Sequence, residues 1–203
     1  MIGLESEVIM TVVNNITQSS PGAMTAQERD LLIDLLMSTQ KRLIAATEGL
    51  TAAQWTFDPG PDRWSIAECA EHLALSEHAL LGLVRGQILQ SPTNPDAAVA
   101  ACGRDGVVVA AMRDRSNRMK TFDFLEPRTI APTPSAFAGT FVTRRAATLQ
   151  YVREAEDRLH HHFAPLGALG DLDGYQWLLL LASHTERHVA QMDEVKTHPG
   201  YPN

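Results

Sequence analysis

The sequence predicts an all-α fold, a four-helix bundle, from two observations. Four long stretches repeat apolar residues at three- to four-residue intervals, and no stretch shows the convincing alternation of a half-buried strand. A third observation bears on topology: the connection between the second and third stretches is far longer than a hairpin loop, so a plain series of tight antiparallel hairpins is not expected. The 203 residues fit one domain, placed at 25–203, with enough chain to bury a substantial core without staples.

Residues 1–24 contain Ser19-Ser20-Pro21-Gly22 and are expected to form a flexible N-terminal arm. Helix one, about 25–50, opens on the capping-box pattern Thr25-x-x-Glu28 and carries Leu32, Leu36, Leu43, Ala46 and Leu50 along one face. The breaker cluster Asp58-Pro59-Gly60-Pro61-Asp62 precedes helix two, about 65–90. Ser65-x-x-Glu68 is its capping box, and Ile66, Ala70, Leu73, Leu80, Val84 and Ile88 form its stripe. Residues 91–135 hold five of the eleven prolines and one short helix near 105–117; a connection of this length is expected to serve function, as a cover for a site. Phe137, Phe141, Thr148, Val152, Ala155 and Leu159 mark helix three, about 135–163, closed by Pro165 and Gly167. Helix four follows Asp173, which caps the first turn together with Gln176. Its stripe is Trp177, Leu181, His184, His188, Met192 and Val195, stopping before His198-Pro199-Gly200.

Composition excludes several functions. A net charge of −7, a pI near 5.6 and no long basic run leave no electrostatic footprint for nucleic acid. Two cysteines, Cys69 and Cys102, are too few for a disulfide framework and form no CxxC pair, so a reducing, cytoplasmic setting is expected. The apolar run Trp177–Ala182 is far below the roughly 20 residues of a membrane span.

The chemistry lies in the histidines. His184 and His188 are four residues apart on an apolar stripe, so both imidazoles point into the bundle from one helix face. A buried imidazole needs a hydrogen-bond partner or a metal. His72, on helix two, is the candidate third ligand. Cys69, one turn before it, is a candidate fourth, set against the simpler reading of a small buried hydrophobe. Glu68 stands one turn from His72 and either orients that ring or serves only the capping box. The segment His184-Thr185-Glu186-Arg187-His188 is not a zincin motif, since Thr185 and Arg187 occupy the positions where the HExxH and HxxEH patterns place glutamate. Glu186 lies about 200° around the helix from His184 and is expected in solvent or on an arginine. His160, His161 and His162 are read as cations at the end of helix three rather than ligands, because neighbouring helical residues point about 100° apart. His78 and His198 are read as surface residues.

Two segments carry a family resemblance: Trp64-Ser65-Ile66-Ala67-Glu68-Cys69-Ala70-Glu71-His72-Leu73, and Asp173-Gly174-Tyr175-Gln176-Trp177-Leu178 through His184-Thr185-Glu186-Arg187-His188-Val189-Ala190-Gln191. The chain resembles the DinB-like superfamily of DinB/YfiT-like metalloenzymes over about residues 25–201. The resemblance implies a four-helix bundle of DinB/YfiT-like topology and a divalent metal, zinc or nickel, held by His72, His184 and His188. It also implies the activities described in that family, which include transfer of low-molecular-weight thiols.

Three neutral imidazoles leave a divalent cation uncompensated and with an open position, the pattern of a catalytic site. The open position admits a water or a thiol, and the resemblance makes transfer of a low-molecular-weight thiol to an electrophilic small molecule the leading expectation. Hydrolysis by metal-activated water, with Glu68 or Glu71 as general acid or base, is the second. A third reading is a non-enzymatic homodimeric binding protein with a structural metal.

Overall fold

A computed structural model of the chain describes residues 22–116, 121–128 and 133–203. Residues 1–21 of the expected arm lie outside that description. At its edge, Met24 is packed into the core and the Gly22 carbonyl accepts from the His160 amide.

Four long helices form the bundle: α1 (Ala26–Thr47), α3 (Ile66–Gly86), α6 (Pro134–Glu154) and α7 (Gly174–Lys196). Among the described residues, three short ones lie between them: α2 (Ala52–Trp55), α4 (Pro95–Ala101) and α5 (Asp105–Arg113). The capping boxes at Thr25/Glu28, Ser65/Glu68 and Asp173/Gln176 are all formed, so side chains serve the orphan amides of each first turn. Thr51 and Gln54 make a further box at α2. Thr133 caps α6, with Pro134 at the first helical position, where a missing N–H costs nothing.

Among the four long helices, packing is heaviest between α1 and α7, α3 and α7, α3 and α6, and α1 and α6. Of the long helices consecutive in the chain, α3 and α6 pack together, whereas α1 with α3 and α6 with α7 stand across the bundle's diagonals. The connections make this possible: residues 48–65, with α2 inside them, are too long to act as a hairpin turn. The connection before α6 adds α5 against the outer side of α7.

Several boundaries differ from those the sequence predicts. Helix one ends at Thr47, and residues 52–55 form their own turn of helix, while helix two closes at Gly86 before a 3-10 turn, Ile88–Gln90. The 91–135 connection holds α4 as well as the expected helix, which stops at Arg113; Asn117 lies outside the described residues. Helix three ends at Glu154 rather than near 163. Ala155 and Leu159 still fill the core, but from beyond the helix, at its cap and at the start of a 3-10 turn, so their burial extends the apolar periodicity without extending the helix. Beyond them two three-residue strands, β1 (Phe163–Pro165) and β2 (Asp171–Asp173), pair antiparallel with Phe163 opposite Asp173. Gly174 at the start of α7 gives room to Leu159, because a Cβ there would stand 2.8 Å from the Leu159 side chain and 3.1 Å from its carbonyl oxygen.

The core has two apolar clusters, one around Leu32, Leu36, Val84, Val152 and Leu178, the other around Leu43, Ile66, Leu73, Phe141 and Met192. An ion pair ties the four long helices together. Arg145 on α6 is fully buried and donates from Nε and Nη2 to the two carboxylate oxygens of Glu77 on α3, each at 2.8 Å. Its Nη1 donates to the Leu36 carbonyl and to Thr39 Oγ1 on α1, and Nη2 also donates to Thr185 Oγ1 on α7 at 2.7 Å. Thr148 adds a hydroxyl donor to Glu77.

The three consecutive histidines correct a second expectation. They do not end a helix; they lie on and just after the 3-10 turn Leu159–His161. His160 Nδ1 is 2.9 Å from Asp173 Oδ2 and its Nε2 is 3.4 Å from Glu28 Oε2, so this ring joins the caps of α1 and α7. Burial lowers its pKa, but hydrogen bonds and charge from Asp173 and Glu28 outweigh that and raise it to about 10. Burial raises Glu28, while His160 and Thr25 bring it down to about 2.

These shifts fix a pH dependence. A raised histidine pKa contributes stability that is complete below about 6.5 and lost as pH rises toward the folded value of about 10. The depressed Glu28 contributes above about 4.5 and loses its share as pH falls toward about 2. Asp105, pushed up to about 6 mainly by burial, loses its contribution by that pH and does not disturb the alkaline limb. Urea unfolding at pH 7 and pH 9.5 is therefore expected to show a stability loss in the native chain that His160→Gln does not share. Equal losses in both proteins would remove His160 from the account.

Candidate metal centre

The helices bring His72, on α3, beside His184 and His188, one turn apart on α7. Their ligand atoms all lie within 4.8 Å of one another, and among the described residues no other group of this kind forms. His184 Nε2 is central, 3.1 Å from His72 Nε2 and 3.0 Å from His188 Nε2. Nitrogens each about 2.0–2.1 Å from one ion stand roughly 2.8–3.4 Å apart in cis-octahedral or tetrahedral arrangements, so these two separations suit a shared cation.

Hydrogen bonding settles which nitrogens face inward. His72 Nδ1 is 2.8 Å from the Leu125 carbonyl, which only accepts, so Nδ1 carries the proton and Nε2 presents a lone pair. His188 Nδ1 is 3.0 Å from Gln191 Oε1, which places the His188 Nε2 lone pair inward in the same way. A neutral His184 has at most one Nε2 proton and can satisfy one of these two neighbours. The other contact would set two lone pairs about 3 Å apart at a part-buried position, an unfavourable arrangement. A cation is the partner this donor set fits.

The rings are held neutral, as ligation requires. Burial drives the His184 pKa down to about 3, with the charges of His72 and Arg187 adding to it. His188 and His72 are also lowered, in each case mainly by burial. Around the rings, Trp64 stacks on His188, with planes 18° apart and centroids 5.9 Å apart, and lies 4.9 Å from the His72 ring. Ser76 Oγ is 3.4 Å from His72 Nε2, one turn further along α3.

The other expected participants separate. Cys69 is fully buried with Leu43, Val189 and Met192 and is not part of the ligand group; burial pushes its thiol well above the ordinary range. It is a core residue, not a fourth ligand. Glu68 Oε2 accepts from the Ser65 amide at 2.8 Å and the Ser65 hydroxyl at 2.7 Å, which is the capping role rather than an orienting contact to His72. Glu71 Oε1 accepts from the Arg128 amide at 3.3 Å. Glu186 is bound by two arginines, Arg42 at 2.6 Å and Arg113 at 2.8 Å. His78 is exposed, and His198 packs its ring 5.3 Å from Phe57.

Sequence reasoning missed Gln191, Ser76 and the two contributions of the long connection, the Leu125 carbonyl and Arg115. Gln191 has a readable signal, an amide three residues after a candidate ligand on the same helix face. A backbone carbonyl arriving from a distant loop has none.

The fold and the site together define a class: a helical bundle with diagonal connectivity and three convergent imidazoles on two of its helices. Comparison with known proteins agrees on the fold and gives the family. The DinB superfamily model matches residues 35–192, most of the chain, and the protein belongs to that superfamily. YuaE of Bacillus subtilis (strain 168) is 22% identical over 149 residues, covering 73% of this chain and 87% of YuaE. The solved structure of YfiT from Bacillus subtilis superposes with a TM-score of 0.56 at 16% identity, covering 95% of this chain and 99% of YfiT. YfiT is described as a probable metal-dependent hydrolase with an unusual four-helix bundle topology, and the likeness extends the fold to this chain. Among the described residues, no helix is long and apolar enough to cross a membrane.

Proposed function

We propose that His72, His184 and His188 hold one divalent cation through their Nε2 atoms, and that the chain is a metal-dependent enzyme acting by hydrolysis on a small molecule. The observation that carries this is the meeting of Nε2 atoms at 3.0 and 3.1 Å, two of them fixed as lone-pair bearers by Leu125 and Gln191. The description of YfiT supports the hydrolytic form. When bound, the cation supplies Lewis acidity, lowering the pKa of a water or a thiol so that either becomes a nucleophile at neutral pH.

The chain's own residues do the rest. Three neutral donors leave the ion's charge uncompensated, and Trp64 walls one side of the rings against solvent. Ser76 offers a hydroxyl beside His72 Nε2 that can hold a polar ligand in place. Glu68 and Glu71, the two alternative candidates for a general acid or base, are engaged by Ser65 and Arg128. That engagement favours chemistry needing no carboxylate base, and it is the one observation that also keeps thiol transfer as a second reading.

The test is metal analysis of protein made without a histidine tag, followed by assays on chromogenic esters and amides with and without added thiols. Metal-dependent turnover in the absence of thiol is the expected result. Turnover seen only with a thiol would replace hydrolysis by transfer. If a chelator unfolds the protein and no exogenous ligand reaches the ion, the metal is structural and the enzymatic reading falls.

A further inference from the structure

The long connection between α3 and α6 does more than lie over the bundle. Just after α5 it delivers Arg115 to the face of α7, where Nε and Nη2 each donate to one oxygen of Glu194 at 2.7 Å. So anchored, Arg115 Nη1 stands 3.4 Å from Gln191 Oε1. A guanidinium only donates, so the oxygen of the Gln191 amide, not its nitrogen, faces that way. The same oxygen is the one 3.0 Å from His188 Nδ1.

We propose that Gln191, with its amide orientation locked by Arg115, is a positioning residue that holds His188 in the Nδ1–H tautomer and aims its Nε2 at the metal. This rests on the metal reading above. A flipped amide would present NH2 to the ring and select the opposite tautomer, placing a proton on Nε2 where a ligand lone pair is required. Arg115 prevents the flip, because the flipped NH2 would meet its own N–H groups. Glu194 keeps Arg115 in place. The same connection supplies the Leu125 carbonyl to His72 Nδ1 at 2.8 Å, so one segment fixes two of the three rings from outside. Outer partners of this kind orient the ring and raise its basicity.

The experiment combines two readouts. Nitrogen-15 spectra of the metal-free native chain are expected to show His188 protonated at Nδ1; protonation at Nε2 instead overturns the proposal. Gln191→Met keeps the side chain's size and removes the acceptor, and is expected to mix the His188 tautomers and weaken zinc binding by roughly 10–100-fold in a chelator competition. Gln191→Glu keeps an acceptor toward both Arg115 and the ring, and is expected to retain native affinity. Native affinity in Gln191→Met, or equal weakening in both variants, counts against a tautomer role. Should the native chain take up no zinc at all, the metal reading fails, and the tautomer measurement still decides the hydrogen-bond assignment.

Discussion

Arg145→Met is expected to destabilise the bundle by about 3–5 kcal/mol, the largest stability effect of any single substitution considered. The mechanism is the stranding of a charge. Glu77 is 2% exposed, and the guanidinium supplies donors to both of its oxygens. Methionine fills similar volume but leaves that carboxylate in the interior with its charge uncompensated. For a domain of this size the loss corresponds to a fall in Tm of roughly 6–20 °C, readable by circular dichroism. The double variant Arg145→Met with Glu77→Leu is expected to recover most of it, since removing both partners of a buried pair is often neutral. A double variant no more stable than the single one would show that the bonds to Leu36, Thr39 and Thr185, not the ion pair, carry the effect. The network also has a bearing on the site. Thr185, which accepts from Arg145, is the neighbour of His184, so the pin that joins four helices holds α7 where its histidines must meet α3.

The limits of sequence reasoning follow from the range of the interactions involved. Capping boxes at Thr25, Ser65 and Asp173 are legible because partner and cap are three residues apart, and the HxxxH pair is legible for the same reason. The end of α6 is not, because Ala155 and Leu159 continue the apolar spacing while the backbone has already left the helix. The strands are three residues each, too short to show alternation. Arg145 and Glu77 do leave a mark, since each occupies an apolar stripe: Arg145 lies between Phe141 and Thr148, and Glu77 between Leu73 and Leu80. Charges in such positions are paired across the core, but their spacing cannot name the partner. His160 is harder still. Its neighbours suggest a helix terminus, and only the fold brings Glu28 and Asp173 to its two nitrogens. The same holds for the centre itself: periodicity places two rings on one face of α7, whereas the approach of His72 and the carbonyl of Leu125 depends on how α3 and the long connection pack.

His184→Ala is expected to abolish tight uptake of a divalent cation and with it the metal-dependent activity. His184 is the sharpest choice among the three because its Nε2 stands between the other two, at 3.1 and 3.0 Å. Its removal turns a three-nitrogen site into two separated donors. The supports of the remaining rings, Leu125 on His72 and Gln191 on His188, are untouched, so the variant tests ligation rather than the positioning of its neighbours. The affinity loss should exceed the roughly 10–100-fold that accompanies removal of an outer partner. Thermal unfolding gives a readout independent of turnover. A ligand present at a hundred times its Kd stabilises the folded state by about 2.7 kcal/mol, so added zinc should raise the Tm of the native chain by roughly 5–10 °C. The same addition should leave His184→Ala where it was. In the metal-free state the variant loses ring packing but also the crowding of inward lone pairs, and it should still unfold in one cooperative step. A zinc-dependent rise in Tm as large in His184→Ala as in the native chain would mean that the ion binds elsewhere. The convergence of the three rings would then be a packing feature of the core.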